Sequence, residues 1–403
     1  MSRWIRGGRA LAATILWWTA GMFGAVSCRD QEIAGPAEPS AASSLATTSV
    51  TTTLSFRQVS AGRRHTCGVT PGNKAYCWGS NQYGELGNGT AANSQQPVAV
   101  VGGLQFRSIN AGPSHSCGVT TDSLAYCWGH NHAGQLGDGS ISNRSTPMRV
   151  TRGLRFRQVA PGHSHTCGLT ITNLAYCWGS NFFGQLGDLT TTNRQTPVAV
   201  SGGLKFRQVS AGYYHTCGIT KFDRAFCWGN NGFGRLGDGS NLQRLTPVAV
   251  AGTLSLRSLT AGFQHTCAVT IGDRAFCWGD GRLGQIGDGN IYQRFTPRAV
   301  AGGLSFDRLT AGSSHTCGEA TNNRGYCWGF GGVGRLGNGT DTARLTPFRV
   351  VGGLLFSQLS AGGEHTCGKT AAVIYCWGYN GWGQLGDGTT TDRWSPVSVS
   401  GPM

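Results

Sequence analysis

From Leu54 onward, short stretches of apolar, β-branched and aromatic residues alternate with stretches rich in Gly, Asn and Pro. Short apolar stretches bounded by turn residues are typical of β-strands. The pattern recurs every 50 residues. Its marker, His-Thr-Cys or once His-Ser-Cys, begins at His65, His115, His165, His215, His265, His315 and His365. Each copy holds four such stretches, and one four-stranded sheet per repeat is typical of a propeller blade. The sequence therefore predicts an all-β fold, a seven-bladed β-propeller with four-stranded antiparallel blades.

The strand count at the two ends of the repeat array predicts how the ring closes. The first copy has three predicted strands, near 56–61, 65–70 and 75–78, with no Pro-Val-Ala-Val strand before them. The last copy ends with an additional one at 396–399. Placing this C-terminal strand on the first blade would complete that blade and leave no unpaired sheet edge. We expect this closure because the terminal strand matches the other six in sequence; the alternative is that residues 49–53 supply the missing strand.

The N-terminal residues differ from the repeats. Residues 1–28 combine a basic start, an apolar stretch and the sequence Ala-Val-Ser-Cys, which is typical of a secretory signal. Small residues before Cys28 resemble a bacterial lipobox, so we expect lipidation of Cys28; a cleaved signal without lipid and an uncleaved anchor are the alternatives. Residues 29–53 are rich in Ala, Ser, Thr and Pro, as in a flexible tether, and residues 54–403 form the propeller. We therefore expect an exported protein of the bacterial cell envelope or cell surface, or otherwise a secreted one.

Composition and charge exclude several classes of protein. Gly provides 65 of the 403 residues and only 13% are charged, which disfavours long helices. The 39% hydrophobic fraction and the 12 Trp exclude a disordered chain. The formal charge of +15 includes the arginines of the signal, and many others recur at one repeat position, which would spread them around the ring. Because a spread charge makes a poor nucleic-acid footprint, we expect no nucleic-acid partner.

Fourteen of the 15 cysteines occur as two per repeat, and Cys28 is the remaining one. The two lie ten residues apart in six repeats and nine apart in the last. If they face each other across a hairpin, residues 71–73 form a three-residue turn and residues 371–372 a two-residue turn, both standard lengths. Directly opposed residues have close Cβ atoms, so a disulfide within each repeat is sterically reasonable. The predicted pairs are Cys67–Cys77, Cys117–Cys127, Cys167–Cys177, Cys217–Cys227, Cys267–Cys277, Cys317–Cys327 and Cys367–Cys376.

Two alternatives to these disulfides stay open. Free buried thiols are the main one, and export would favour the disulfides over them. Zinc bound by the repeated histidines and cysteines is the other. It would require seven three-ligand sites without Cys-x-x-Cys spacing, so we expect no metal site.

The repeated histidines and aspartates are weak candidates for catalysis. Seven equivalent histidines around a ring cannot converge on one substrate, so we interpret them as packing or hydrogen-bonding groups. Five aspartates precede an arginine by six residues in corresponding loops, and we interpret these as pairs that fix the loop, with Ca²⁺ sites as the alternative. The pairs are Asp138 and Arg144, Asp188 and Arg194, Asp238 and Arg244, Asp288 and Arg294, and Asp387 and Arg393. We expect no catalytic residue and no cofactor, and therefore not an enzyme.

Residues that differ between copies lie in two windows: the pair before each His-Thr-Cys and the pair inside Asn-x-x-Gly or its equivalent. Strand alternation places both windows at one end of the ring. The third to fifth copies supply several aromatic residues there, and a more basic cluster spans the ring closure. Exposed aromatic residues give large contact area at low entropic cost, so this face is the predicted ligand-binding surface. Its residues are Arg63, Arg64, Tyr83, His163, Phe182, Phe183, Tyr213, Tyr214, Phe233, Phe263 and Trp382.

The repeats contain Gly-x-x-His-(Ser/Thr), Tyr-x-Trp-Gly and Asn-x-x-Gly-Gln-Leu-Gly, and over residues 54–403 they resemble the regulator of chromosome condensation repeat family. The resemblance implies a seven-bladed propeller used mainly for protein binding. Members of that family include a nucleotide exchange factor for a small GTPase, a plant ultraviolet-B photoreceptor and a secreted bacterial inhibitor of β-lactamases. The Gly-x-x-His window has no Trp here, which argues against light sensing, and export argues against nucleotide exchange.

From this reasoning we expect a membrane-tethered module that binds a protein ligand. A secreted enzyme inhibitor is the alternative, and carbohydrate binding comes third.

Overall fold

The computed structural model describes residues 54–401 and contains 28 strands in seven four-stranded antiparallel sheets. In every sheet the strands are neighbours in the same order as along the chain. The predicted all-β, seven-bladed propeller is therefore confirmed. One short 3-10 turn, Gly332–Gly334, is the single helical element among the described residues. In that part of the chain no helix has the length and apolar character needed to cross a bilayer.

The blades follow one another along the chain, and each contributes an inner strand, two middle strands and an outer strand. Blade 1 consists of β1 (Gln58–Ala61), β2 (His65–Val69), β3 (Ala75–Gly79) and β4 (Ser94–Ala99), blade 2 of β5 (Phe106–Ala111), β6 (His115–Thr120), β7 (Ala125–Gly129) and β8 (Arg144–Arg149), and blade 3 of β9 (Phe156–Pro161), β10 (His165–Thr170), β11 (Ala175–Gly179) and β12 (Arg194–Ala199). Blade 4 consists of β13 (Phe206–Ala211), β14 (His215–Thr220), β15 (Ala225–Gly229) and β16 (Arg244–Ala249), and blade 5 of β17 (Leu256–Ala261), β18 (His265–Thr270), β19 (Ala275–Gly279) and β20 (Arg294–Ala299). Blade 6 consists of β21 (Phe306–Ala311), β22 (His315–Ala320), β23 (Gly325–Gly329) and β24 (Arg344–Arg349), and blade 7 of β25 (Gln358–Ala361), β26 (His365–Lys369), β27 (Ile374–Gly378) and β28 (Arg393–Ser398).

The hairpin between the two middle strands has the predicted geometry. In blade 1 the Thr70 amide donates to the Lys74 carbonyl at 2.9 Å, which leaves a three-residue turn. The third turn residue, Asn73, has φ 61°, a left-handed conformation that Asn tolerates well. In blade 7 the Thr370 amide donates to the Val373 carbonyl at 2.9 Å, so that turn has two residues. This register places the two cysteines of a blade directly opposite each other.

All seven disulfides lie within single blades. In blade 1, Cys67 pairs with Cys77 in register, with a Cα–Cα distance of 4.0 Å, and both are fully buried. The other blades repeat this arrangement with Cα–Cα distances of 4.1 Å. Each bridge therefore closes a short loop inside one sheet, and no disulfide among these seven joins neighbouring blades.

The hydrophobic core lies between the blades. Around blade 2, for example, Leu136 and the Cys117–Cys127 bridge pack against Phe156 and Trp178 of blade 3. The Trp178 ring is fully buried and lies 5.8 Å from the Phe156 ring. A blade thus buries its faces against its neighbours, which is why this architecture needs several repeats.

A hydrogen-bonded chain of buried polar side chains joins each blade to the next. His165 Nε2 lies 2.9 Å from Thr216 Oγ1, and that hydroxyl donates to the Gln185 carbonyl at 2.9 Å. Trp228 Nε1 donates to the same carbonyl at 2.9 Å. Because the single hydroxyl proton is used on the carbonyl, the hydroxyl oxygen accepts, and the histidine is the neutral Nε2–H tautomer.

The same bond occurs at all seven interfaces, with Ser116 as the partner of His65. Between blades 7 and 1 it joins His365 to Thr66 at 2.7 Å. The histidines thus form a closed ring of inter-blade hydrogen bonds, and the sequence-based interpretation of them as hydrogen-bonding groups is confirmed. Burial lowers the pKa of His65, His165 and His365 to about 3.

The predicted ring closure is wrong. The C-terminal strand β28 pairs with β27 of its own blade, and the first blade obtains its fourth strand from β4, through Tyr76–Ala99 and Cys77–Val98 pairing. The physical reason is that the loop after each third strand folds back, so the strand that follows completes the blade already begun. Among the described residues no strand is left outside the seven sheets. Residues 49–53, the alternative source of a strand, lie outside the described residues.

The ring instead closes through side chains. The Gln358 side chain accepts from the Val59 amide at 3.1 Å and donates to the Val59 carbonyl at 2.9 Å. Gln58 makes the equivalent pair of bonds to Ile109 in blade 2, at 3.2 and 2.7 Å. The closing interface therefore repeats the histidine and glutamine bonds of an internal one, but Trp78 Nε1 lacks the hydrogen bond that the other six blade tryptophans make.

The disulfides generate the first prediction. Replacing Cys217 and Cys227 together by Ala removes one bridge without leaving a free thiol, and should lower the free energy of unfolding by about 2–3 kcal/mol. Denaturant unfolding of the double variant and of the wild type measures this difference. Peptide mapping without reduction should show seven bridges within repeats, and free thiols in the folded wild type would contradict the pairing.

The histidine ring generates a second prediction, for acid. The unfolded chain protonates its histidines near the ordinary pKa of 6.5, whereas burial keeps His65, His165 and His365 neutral down to about 3 in the fold. The contribution of the neutral histidines to the free energy of unfolding should therefore be fully present above about pH 6.5. Below that pH it should fall by up to about 1.4 kcal/mol per pH unit for each histidine. Guanidinium unfolding midpoints at about pH 7.5, 5.5 and 4.5 measure this loss.

Two buried carboxyl groups oppose this effect. Burial raises the pKa of Glu85 and of Glu319 to about 7, so both take up a proton more readily in the folded state and favour folding as the pH falls. A variant with Glu85→Gln and Glu319→Gln should lose stability more steeply with acid than the wild type. A midpoint that stays constant between about pH 6.5 and 4.5 in this variant would contradict a neutral histidine ring.

Candidate functional site

Both variable windows lie at one end of the propeller, which we call the aromatic end. The first window is the turn between the inner strand and the second strand, and the second window begins the long loop between the third and outer strands. Antiparallel pairing brings these two connections to the same end. They also touch each other, because the Phe183 and Tyr214 rings, one from each window, lie 4.9 Å apart.

Each long loop is held by buried polar side chains. In blade 3 the Asn181 side chain accepts from the Leu186 amide at 3.0 Å and donates to Asp188 at 2.9 Å. Arg194 forms an ion pair with the same aspartate at 2.8 Å. These bonds fix the loop that carries Phe182 and Phe183, so the two rings are presented by a rigid backbone.

All five predicted aspartate–arginine pairs are present, at 2.5–3.0 Å. Burial alone would raise the pKa of the carboxyl groups, but hydrogen bonds from Ser or Thr hydroxyls and from arginine outweigh it and lower the pKa of four of them. The interpretation of these residues as loop-fixing pairs is therefore confirmed.

Six of the predicted binding residues form one aromatic cluster across blades 3, 4 and 5. His163 stacks on Tyr213 at 3.7 Å between ring centroids, and Tyr213 lies 4.3 Å from Phe263. The outermost ring, Phe182, is 75% exposed, whereas the others are partly buried. The cluster is thus a continuous surface with one protruding side chain. Its members are His163, Phe182, Phe183, Tyr213, Tyr214 and Phe263.

The Phe233 ring contacts arginine side chains instead of joining the aromatic cluster. Its ring lies 4.5 Å from the Arg282 guanidinium and 5.4 Å from that of Arg235. Arg235 is nearly fully buried, and its guanidinium donates to the Phe263 carbonyl at 3.4 Å. Burial lowers the pKa of Arg235 to about 10. Arg235 therefore links Phe233 to the edge of the cluster from beneath.

The predicted basic cluster consists of Arg63, Arg64, Tyr83 and Trp382. The first three line one pocket, and Trp382 contacts Arg64. Arg64 lies over the Trp382 ring at 5.4 Å, so blades 1 and 7 do meet across the closure. Tyr83 packs instead against His130 of blade 2, at 4.3 Å. Arg63 lies at the mouth of the central channel, beside Pro113 and Tyr213.

A polar pocket of about 180 Å³ lies beside the aromatic cluster, between blades 1, 2 and 3. It contains the predicted Arg63, Arg64, Tyr83 and His163, and also three titratable residues outside the predicted set. These are Glu85, His130 and His132. A signal for Glu85 exists in the sequence, since the equivalent residue is Gln or Arg in every other repeat.

Glu319 is a second unshared residue that the sequence reasoning missed. It lies buried in β22 of blade 6, where five other repeats have Val, Leu or Ile, and accepts a hydrogen bond from the Leu359 amide. It lines a cavity of about 240 Å³ with Arg257, Asp307 and Arg308. The cavity belongs to the end of the propeller opposite the aromatic cluster.

Neither the repeated histidines nor the cysteines converge on a reaction centre. Each histidine is buried at its own blade interface. Among residues 54–401, no group of three or more His, Cys, Asp or Glu is placed to hold a metal ion. Cys28, predicted to carry lipid, lies outside the described residues.

The positive charge is not shared equally between the two ends of the propeller. We call the other end, formed by the turns between the middle strands and the connections that follow the outer strands, the basic end. Within residues 54–401 these segments, together with Arg57 before the first inner strand, carry nine basic and three acidic residues, a net charge of +6. The aromatic end, counted to the first residue of each outer strand, carries 11 basic and ten acidic residues. Pairing with aspartate neutralises the loop arginines of the aromatic end, so the excess positive charge of the propeller remains at the basic end.

Comparisons with known proteins agree with this architecture. The sequence profile of the RCC1-like domain matches residues 14–368, and that of the regulator of chromosome condensation (RCC1) repeat matches residues 373–403. No curated protein sequence matches the chain significantly.

Solved structures with a similar fold come from several eukaryotes. Human WBSCR16 superposes with a TM-score of 0.72 at 20% identity, covering 79% of this chain and 87% of that one. Prp20p of Saccharomyces cerevisiae, which binds Gsp1p and histones, gives a TM-score of 0.70 at 21% identity, with coverage of 78% and 82%. The ectodomain of the Physcomitrella patens receptor kinase CR4 gives 0.54 at 22% identity, with coverage of 80% and 74%. At these identities the likeness concerns the fold.

The different burial of neighbouring rings generates a prediction. Phe182→Ala should change the free energy of unfolding by less than about 0.5 kcal/mol, because the ring is exposed. Phe183→Ala should cost about 1–2 kcal/mol, because that ring packs against Tyr214. Urea unfolding of the two variants compares adjacent residues of one loop, and equal losses would contradict the cluster geometry.

Proposed function

The chain belongs to the RCC1-like domain family, and on that basis we propose that it is an exported, membrane-tethered module that binds a protein partner at its aromatic end. The observation that carries the proposal is the aromatic cluster. Rigid, partly exposed Tyr and Phe side chains provide contact area at little entropic cost, and such residues dominate the binding energy of protein interfaces. Prp20p, which has the same fold, binds the proteins Gsp1p and histones.

The geometry of the aromatic end supports a protein rather than a small ligand. The cluster spans three blades as a surface, and Phe182 projects from it, as an anchor residue does that enters a partner's pocket. The polar pocket with Arg64, Glu85 and His130 borders it and supplies hydrogen-bonding groups at the rim. A hydrophobic centre with a polar rim is the usual organisation of a protein interface.

The cysteine chemistry supports export. Seven within-blade disulfides require an oxidising compartment to form and persist. The signal-like residues 1–28 and the expected lipid on Cys28 would direct the protein to the bacterial cell envelope, and residues 29–53 would tether the propeller there.

Capture of the partner tests this function. A detergent extract of the envelope of the source organism is passed over the immobilised protein, and the captured partner is identified and its affinity measured. The double variant Phe182→Ala, Tyr214→Ala should bind it at least about ten-fold more weakly, because each anchor contributes about 1–2 kcal/mol or more.

The control is a double variant at the basic end, Phe222→Ala, Ile271→Ala. Phe222 is 73% exposed and Ile271 is 62% exposed, so it removes a comparable apolar surface. It should capture the partner like the wild type. If both double variants lose the partner equally, or if neither does, the aromatic end is not the binding surface.

A further inference from the structure

The basic end of the propeller carries an excess of positive charge that the proposed binding surface does not use. Two of its three acidic residues form ion pairs within the fold: Asp223 pairs with Arg207 at 2.9 Å, and Asp273 pairs with Arg257. Several basic side chains there are exposed, among them Lys205, Lys221 and Arg224. A field of one sign over a whole end attracts a polyanionic surface.

Exposed apolar side chains lie at the tips of the turns at the same end. Ile171, Phe222 and Ile271 occupy the turns between the middle strands of blades 3, 4 and 5, and are 54%, 73% and 62% exposed. Lys221 is the sequence neighbour of Phe222, and its ammonium lies 4.8 Å from the ring. Neighbouring apolar tips surrounded by cationic side chains are the combination that binds peripheral proteins to membranes, through insertion and through attraction to anionic lipid.

The described chain also enters the propeller at the basic end. β1 begins at Gln58, opposite Val69, and the Arg57 amide donates to the Val69 carbonyl, next to the turn at residues 70–74. The residue that the sequence predicts to carry lipid, Cys28, precedes Leu54 by 26 positions. A connection of this length keeps the end at which it enters at high effective concentration near the membrane.

We propose that the basic end is a peripheral membrane-binding face that docks on anionic phospholipid headgroups, with Ile171, Phe222 and Ile271 entering the interfacial region. The inference rests on the proposed membrane tethering and adds an orientation to it. The propeller lies with its basic end on the lipid and its aromatic end directed away, free for the protein partner.

Binding to vesicles tests the charge. The full chain is mixed with vesicles of phosphatidylcholine alone or with about 30% phosphatidylglycerol, at about 50 and about 500 mM salt. We expect at least ten-fold stronger partitioning to the anionic vesicles at low salt, and loss of this preference at high salt. Each cationic residue near an anionic surface contributes about 1 kcal/mol, or about five-fold. The variant Lys205→Gln, Lys221→Gln, Arg224→Gln should therefore lose at least ten-fold.

A matched control removes three charges elsewhere. Arg144, Arg244 and Arg344 are the first residues of three outer strands and lie at the aromatic end. The variant Arg144→Gln, Arg244→Gln, Arg344→Gln therefore has the same net charge and should bind anionic vesicles within about two-fold of the wild type. Circular dichroism and thermal unfolding verify that both variants are folded. Equal losses in the two variants, or no preference of the wild type for anionic vesicles, would overturn the proposal.

The apolar tips distinguish a membrane from a soluble polyanion. Replacing Ile171, Phe222 and Ile271 by Ser should weaken vesicle binding at least five-fold, by loss of buried apolar area. The control replaces Leu189, Leu242 and Ile291 by Ser; these are 67%, 59% and 54% exposed on the long loops of blades 3 to 5. If the tip variant binds like its control, and a DNA duplex competes fully for the protein, the face binds soluble polyanions and the proposal is wrong.

Failure of the tether is measured separately. Cell fractionation of the Cys28→Ser variant reports whether lipid holds the protein in the membrane fraction. The difference in binding between anionic and neutral vesicles does not depend on that result, because every variant in the vesicle experiments has the same N-terminal residues. Vesicle binding without a tether, or a tether without vesicle preference, thus identifies which of the two proposals fails.

Discussion

The hydrogen bond from a buried histidine to a hydroxyl of the next blade is the interaction on which the ring depends. The histidine and the hydroxyl residue are fully or almost fully buried at every interface, and the hydroxyl that accepts this bond donates its own proton to a loop carbonyl. Removing any member leaves a buried polar group without a partner, which costs more than the bond itself contributes. The histidine and the hydroxyl residue therefore recur in all seven copies.

The two ends of the propeller use this rigid ring differently. At the aromatic end, buried Asn and Asp side chains hold the loops, and the arginines are neutralised by those aspartates. At the basic end the turns are short and carry few acids, so the charge of the strand-flanking Arg and Lys residues remains. One framework thus separates a surface suited to aromatic anchoring from a surface with a strong positive field.

Much of the fold follows from the sequence because the repeats multiply each local signal. The spacing of Cys67 and Cys77 predicted the hairpin register, and the repetition of His165 correctly predicted a hydrogen-bonding role for it. The closure was predicted wrongly because sequence alone does not show on which side an outer strand pairs. Glu319 was missed because the search for unshared residues was limited to loops, whereas this carboxyl lies inside a strand. The pairing of loop arginines with aspartates was predicted, but its consequence for the distribution of charge appears only when the ends are seen in space.

Construction of each blade from consecutive residues has a consequence for how such rings grow. The hydrogen bond between His115 and Thr166 links residues 51 apart, whereas the equivalent bond between His365 and Thr66 links residues 299 apart. All interfaces but one are therefore between consecutive repeats, and within residues 54–401 no strand is shared between the first and last blades. Duplication or loss of one unit would leave every remaining interface with the same chemistry. Side-chain packing and hydrogen bonds between blades 7 and 1 therefore close the ring.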